Sequence, residues 1–265
     1  MVKKTVWLTG GGTGIGKDLT KLLCDNGFDV IISGRRKDKL IEVAKYNKKK
    51  IFPYKLDVSN LKETEIVAKK IIKKFKFIDL LVLNAAIYSP GSLKEISPIN
   101  AKKVIDINLT GIINCLPTIV NTMKKKQKGH VIFVSSPAGY RGMPGAGLYG
   151  VTKSGLTFLA ETLKIELEQF NIKVQVVHPG FIKTPMTDKN TFPMPFLMSS
   201  EKAAKIIFSK INSNIFEIYF PKMLLIPMKI LSFLPYRIYF YLIKKFVKLP
   251  EWKVLQKNTL NLLSN

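Results

Sequence analysis

A glycine-rich turn, Thr9-Gly10-Gly11-Gly12-Thr13-Gly14-Ile15-Gly16, separates the short apolar run Thr5–Thr9 from Ile15–Asn26, whose apolar residues have helical spacing. A strand that passes through such a turn straight into a helix aims backbone N–H groups and a helix N-terminus at one point. Side chains there would keep a phosphate out. Gly10, Gly14 and Gly16 leave that space open, and Gly12, Thr13 and Ile15 line the same loop. A merely flexible turn is the plainer reading. The position of this one at the start of a strand–helix–strand unit favours nucleotide binding.

The alternation continues along the chain. Phe28–Ser33, Ile51–Leu56, Asp79–Leu83, Val131–Ser135, Ile172–Val177 and Ile215–Phe220 read as strands. Lys37–Tyr46, Leu61–Lys74, a long Pro98–Lys126, Tyr149–Phe170 and Lys202–Ile211 read as helices, and Gly27 is placed to cap the first one. Several strand runs are apolar without alternation, which specifies a parallel sheet covered on both faces. Right-handed crossovers then give an α/β fold, a doubly wound parallel sheet of the Rossmann type. No repeat or low-complexity linker divides the 265 residues, so a single domain is expected. It comprises a cofactor half over about 1–130, a catalytic and substrate half over about 131–220, and an apolar, basic, helical C-terminal extension over about 221–265.

At 46% hydrophobic and 23% charged, the chain is too apolar for disorder. Its two cysteines, Cys24 and Cys115, build no disulfide framework and fit a reducing, cytoplasmic setting. Neither stands in metal-ligand spacing with His130 or His178, so no metal is expected; His178 reads as structural. The apolar residues before Gly10 are too few for a signal-peptide core, and no run nears the roughly 18 apolar residues of a membrane span. A formal net charge of +25, from 43 Lys and Arg against 18 Asp and Glu, raises affinity for acidic ligands. The lysines are scattered through many segments, however, which favours solvated faces. No recognition helix or basic-aromatic module marks a nucleic-acid binder.

The second strand bears on which nucleotide is bound. NAD-binding units hold the ribose hydroxyls with an acid about 20 residues past the glycines. Here the sequence reads Ile31-Ile32-Ser33-Gly34-Arg35-Arg36. Arginines in that place match a 2′-phosphate through bidentate, charge-assisted hydrogen bonds and favour NADP(H) over NAD(H).

A second constellation follows Val131–Ser135. Ser136 stands just beyond that strand, and Tyr149 and Lys153, four apart at a helix start, share one face. An ammonium beside a phenol lowers its pKa from about 10 toward the working pH. That fits Tyr149 for general acid–base work on a carbonyl or alcohol oxygen, with Ser136 donating to the same oxygen.

In these motifs the chain resembles the short-chain dehydrogenase/reductase family, over roughly residues 4–220. Thr9–Gly16 matches the family's TGxxxGxG turn, Asp57-Val58 its adenine contact, and Asn84-Ala85-Ala86 its NAG segment, with Ala86 in place of the glycine. Asn108 matches the catalytic asparagine, Ser136 stands thirteen residues before Tyr149, and Lys153 completes YxxxK. Pro179-Gly180, with Ile182 and Thr184 beyond it, resembles the PG segment and the nicotinamide contact. The resemblance implies hydride delivery to a carbonyl held by Ser136 and Tyr149, with Tyr149 as proton donor. It further implies ribose binding by Lys153, a water on Asn108 linking Lys153 to solvent, and a homodimer or homotetramer built on the two long helices.

Phe181, Met186, Phe192, Met194, Phe196, Leu197 and Met198 form an apolar segment that reads equally as a flexible lid over a hydrophobic substrate or as core covering. Ile218–Leu249 holds Lys222, Lys229, Arg237, Lys244, Lys245 and Lys248 among aliphatic and aromatic residues, with no acid; Pro227 and Pro235 are expected to break it into short helices. Two readings stand for it: packing on the enzyme or a partner subunit, and peripheral association with a membrane surface. The expected function is NADP(H)-dependent reduction of a ketone or aldehyde in a small hydrophobic, lipid-like substrate. A 3-oxoacyl-carrier-protein reductase is the near alternative. A non-catalytic NADP(H)-sensing binding protein is the alternative of another class.

Overall fold

A computed structural model describes residues 4–88, 97–190 and 192–246. Lys248, Leu249 and the rest of the expected extension past Phe246 lie outside them. Strands β1 (Thr5–Thr9), β2 (Asp29–Gly34), β3 (Ile51–Lys55), β4 (Leu80–Leu83), β5 (Gly129–Val134), β6 (Ile172–Pro179) and β9 (Glu217–Phe220) form one sheet in the order β3-β2-β1-β4-β5-β6-β9. Every pairing in it is parallel. Two short strands, β7 (Ile182–Lys183) and β8 (Met198–Ser199), pair separately.

The runs without alternation are explained by what covers them. Successive residues of a strand point to opposite faces. Trp7 therefore joins Ile31, Leu81 and Phe133 on one face, and Val6 and Leu8 join Val30, Val82 and Ile132 on the other. The second face is covered by α1 (Gly14–Asp25), α2 (Lys37–Ala44) and α8 (Ser200–Lys210), the first by α3 (Leu61–Phe75), α5 (Gly111–Asn114), α6 (Leu116–Lys126) and α7 (Gly147–Glu166). The Trp7 indole N–H finds its partner inside the core, donating to Ser33 Oγ at 3.1 Å. Cys24 and Cys115 are buried on opposite faces, as small apolar residues of the two core layers.

Pro98–Lys126, expected as one helix, is interrupted. After α4 (Pro98–Ile105) a π turn spans Asp106–Thr110, and α5 and α6 follow. The turn presents Asn108 to the segment after β4. There Asn108 Oδ1 accepts from the Ile87 N–H and its Nδ2 donates to the Ile87 carbonyl, each at 2.8 Å. Single π turns of this kind concentrate at functional sites. Among the described residues, only this rod is long and apolar enough to cross a membrane, and 50% of its apolar window is buried in the core.

The described part of the extension holds α9 (Lys222–Phe233) and α10 (Tyr236–Phe246). Pro235 separates them as expected, but Pro227 lies inside α9 without ending it. A proline removes the hydrogen bond to the carbonyl four residues back. That carbonyl belongs to Met223, which is exposed, so solvent can replace the missing donor at little cost.

Candidate active site

The end of β1 and the end of β4 are clamped together where the strand order reverses, the place at which doubly wound sheets bind ligands. Thr9 Oγ1 accepts from the N–H groups of Asn84 (3.0 Å) and Ala85 (3.1 Å), and Asn84 Nδ2 donates to the carbonyls of Thr9 (3.1 Å) and Gly10 (3.2 Å). The turn between β1 and α1 has no room for side chains. A Cβ on Gly16 would stand 2.3 Å from the Gly10 carbonyl oxygen. Gly14, at φ +56°, faces Thr184, whose Cγ2 a Cβ would approach to 2.9 Å. Ile182 in β7 and the Pro179-Gly180 end of β6 thus bring Thr184 back to the glycine turn.

Charge gathers at this cradle. Arg36 Nη2 donates to Thr13 Oγ1 at 3.2 Å, and Lys17, Lys39 and Lys183 border a cavity of about 330 Å³ together with Gly12 and Thr13. Arg35 turns away and borders a second cavity, of about 260 Å³, with Asp57, Ser59, Lys102 and Lys103. Asp57 Oδ1 accepts from the Ser59 N–H (3.1 Å) and hydroxyl (2.7 Å), and the neighbouring Val58 carbonyl accepts from Asn114 Nδ2 at 3.0 Å. A cradle that a Cβ would fill, bordered by Lys17, Lys183 and the Lys39–Glu42 pair (2.9 Å) with Asp188, fits a phosphate-bearing dinucleotide through its backbone amides and its excess of cations. Lys17, Lys39 and Lys183 carry no signal in the sequence. They lie far apart in a lysine-rich chain and meet only through the fold.

Ser136 follows β5, and Tyr149 opens the first turn of α7. The Ser136 hydroxyl lies close enough to the phenol to favour its ionised form, and Tyr88 packs edge-on against Tyr149 with ring centroids 4.9 Å apart. Lys153 is only 2% exposed; its Nζ donates to the Val134 carbonyl at 2.8 Å and lies 5.5 Å from the Tyr149 ring centroid. Asn108 Nδ2 also reaches Thr152 Oγ1 at 3.3 Å, so its side chain ties the segment after β4 to α7. Ala86 stands in that segment, between Ala85 and the Ile87 that Asn108 holds.

The electrostatics differ from the expectation of a phenol lowered by its lysine. Burial pushes Tyr149 up to about 12, against the opposing effect of the Ser136 hydroxyl and with a further upward push from Tyr88. Burial also pushes Lys153 down to about 7. The reason is geometric. The ammonium is aimed at the Val134 carbonyl rather than at the phenol oxygen, so desolvation dominates both groups.

Behind the site runs a buried polar chain of which only His178 stands out in the sequence. Ser135 Oγ donates to the Lys153 carbonyl (2.8 Å) and meets Thr157 Oγ1 (3.0 Å), which in turn meets His178 Nε2 (3.0 Å). His178 Nδ1 lies 2.9 Å from Glu217 Oε1, close but off the line of a straight hydrogen bond. Glu217 also accepts from the Tyr140 hydroxyl at 2.6 Å and pairs with Lys229 of α9. Burial alone would raise the Glu217 carboxyl. The close approach of the His178 ring, with hydrogen bonds from Lys229 and Tyr140, outweighs it and holds the group down at about 2.

A tyrosine and lysine one helical turn apart, a serine at a strand end and a glycine cradle at the switch point define a class of nucleotide-dependent oxidoreductase. Residues 4–193 match the family described as short chain dehydrogenase, and the chain belongs to that family. It is 30% identical over 238 residues to an uncharacterized oxidoreductase of Myxococcus xanthus, covering 89% of this chain and 94% of that protein. It is 36% identical over 189 residues to the 3-oxoacyl-[acyl-carrier-protein] reductase FabG of Thermotoga maritima, covering 70% of this chain and 77% of that protein. Among solved structures, ElxO with NADP bound superimposes with a TM-score of 0.74 at 30% identity, over 82% of this chain and 98% of that one.

Proposed function

We propose that the protein uses NADPH to reduce the carbonyl of a small apolar ketone or aldehyde. The observation that carries this is the meeting of Ser136, Tyr149 and Lys153 at the C-terminal edge of the sheet, the edge that also bears the glycine cradle. The nicotinamide, when bound, supplies the hydride. Ser136 and Tyr149 hold the carbonyl oxygen, and Tyr149 gives it the proton as its basicity rises. Lys153 takes up its ammonium form beside the negative charge of a dinucleotide, holds the ribose hydroxyls and eases proton loss from Tyr149. Asn108 positions the strand end and helix that frame this site, and a water at Asn108 returns the proton from solvent.

NADP(H) is preferred to NAD(H) because Arg36 stands over Thr13 and Arg35 over the second cavity, where an acid would otherwise bind ribose hydroxyls. ElxO, with NADP bound, supports that preference. An apolar substrate is supported by the segment after Thr184. Phe192, Phe196 and Leu197 are exposed rather than packed as core covering, and Phe192 meets Phe181 edge-on at 5.9 Å. The outward side chains of Ile99, Phe158 and Ile165 suit a homodimer or homotetramer joined through α4 and α7, in a cytoplasmic setting that the two buried free cysteines fit.

The similarity to the Thermotoga reductase favours a second reading, reduction of a 3-oxoacyl thioester on an acidic carrier. A panel of ketones, aldehydes and acyl thioesters followed by NADPH absorbance separates the two. The expected result is turnover of apolar ketones or aldehydes that falls at least about 10²-fold in Tyr149→Phe, with NADPH affinity nearly unchanged. Turnover confined to carrier-linked thioesters would establish the second reading. An active Phe variant, or no turnover with any of the panel, would overturn both.

A further inference from the structure

α9 shows an unusual distribution of side chains. Its inward side places Leu225 in the core, sets Leu224 against Gly180 at the end of β6 and pairs Lys229 with Glu217. Its outward side carries Met223, Ile226, Ile230 and Phe233, which are 72%, 43%, 60% and 83% exposed. Positions 223, 226, 230 and 233 recur at helical spacing, so they form one continuous apolar stripe facing water. α10 buries Tyr239 and Ile243 and leaves Arg237, Ile238, Phe240, Tyr241, Lys244 and Lys245 exposed, so its outer face mixes cations with apolar side chains. Residues 221–246 contain no acid.

This hairpin is not a loose tail. Arg141 Nη1 donates to the carbonyls of Leu231 (3.1 Å), Ser232 (3.0 Å) and Leu234 (2.5 Å), closing the C-terminal end of α9. Its guanidinium also lies over the rings of Tyr236 and Tyr239, at 4.7 and 4.0 Å from their centroids. The Tyr239 hydroxyl donates to the Gly142 carbonyl at 2.7 Å. The stripe is therefore held out rigidly at the C-terminal edge of the sheet, the edge that bears Ser136 and Tyr149.

We propose that the outer face of α9 and α10 docks on an anionic lipid bilayer, with Met223, Ile226, Ile230 and Phe233 entering the headgroup–acyl boundary and Arg237, Lys244 and Lys245 engaging lipid phosphates. Exposed aliphatic and aromatic side chains and exposed cations on two successive helices without an acid match an interface that is apolar below and negative above. A second copy of the chain is a poorer occupant, because it would bring the same acid-free set of cations against this one. The proposal deepens the proposed function by making the membrane the source of the apolar substrate. Vesicle binding is measured without turnover, so the two readings fail separately.

The test is co-sedimentation of the full chain with phosphatidylcholine vesicles and with vesicles containing phosphatidylglycerol as well, at low and high salt. Binding is expected to the anionic vesicles, at least about tenfold weaker to the neutral ones, and weakened by salt. Lys244→Glu with Lys245→Glu, and separately Ile230→Glu with Phe233→Glu, should each reduce binding at least about tenfold while circular dichroism and the melting transition stay as in the parent. The proposal fails if anionic vesicles leave the protein in the supernatant, if neutral vesicles bind it equally, or if both double variants bind as the parent does. It also fails if Ile230→Glu with Phe233→Glu lowers the mass seen by light scattering, which would assign the stripe to a second copy.

Discussion

The glycine cradle and the α9–α10 hairpin lie at the same edge of the sheet but are held in opposite ways. The cradle is built from backbone: Gly10 and Gly16 touch, and Asn84 fastens two main-chain carbonyls. The hairpin is built from long side chains that reach across to backbone and carboxylate, namely Arg141, Tyr239 and the Lys229–Glu217 pair. The first arrangement is sensitive to added atoms and the second to lost charge. Substitutions that exchange these sensitivities would break the contrast.

The largest effect is expected at Gly16. In Gly16→Ala the new methyl would have to displace the Gly10 carbonyl from 2.3 Å, far inside van der Waals contact, so α1 and the end of β1 must separate. NADPH affinity should fall by more than about 10²-fold, as read by fluorescence titration, the loss expected when phosphate-facing amides move out of place. An Ala variant that binds as the parent does would show that the turn is held by something other than its own closeness.

Next comes Glu217→Gln, which keeps the shape and removes the charge. A carboxyl held at about 2 against an ordinary 4.5 stabilises the folded chain above the ordinary value, on the order of 3 kcal/mol, and that contribution disappears as pH falls through 4.5 to 2. The variant should therefore be less stable in urea at pH 7 and converge with the parent near pH 2. Equal stability at pH 7 would mean that Tyr140 and His178 are served as well by an amide. A smaller loss, about 2 kcal/mol, is expected for Arg141→Ala, which leaves three part-buried carbonyls at the end of α9 without their shared donor. Hydrogen exchange should show that loss concentrated in residues 222–246 rather than spread over the sheet.

The same contrast explains what was legible in the sequence. The doubly wound sheet, the glycine turn and the Tyr149–Lys153 spacing are local patterns, in which period and proximity along the chain carry the information. The π turn at Asp106–Thr110 breaks a helix whose sequence reads as continuous, and the partner its Asn108 meets there, the Ile87 backbone, is 21 residues away. Likewise Glu217 reads as the single acid at the start of an apolar strand. Only packing gives it Tyr140, His178 and Lys229 as partners. Pro227 misled in the other direction, since the rule against proline in helices assumes a carbonyl that must stay dry, and Met223 is exposed. Lowering of the Tyr149 pKa is a statement about spacing, whereas the actual shift depends on where Lys153 Nζ points, to the Val134 carbonyl.

The smallest effect belongs to the exposed rim of the cradle and tests whether its cations choose between dinucleotides or simply add charge. Arg36 is held over the turn by Thr13 Oγ1, while Arg35 stands at the other cavity beside Asp57. If Arg36 recognises a 2′-phosphate, Arg36→Ser should weaken NADPH about tenfold, near 1.4 kcal/mol, and leave NADH almost unchanged. Arg35→Ser should act in the same direction, and raising salt should narrow the parent's preference. Equal weakening of both dinucleotides in Arg36→Ser would assign the arginine to the shared pyrophosphate, with Lys17, Lys39 and Lys183 as its companions there. The cradle would then bind by charge and close approach alone, and the choice between the two nucleotides would have to lie in Arg35 and the cavity it borders.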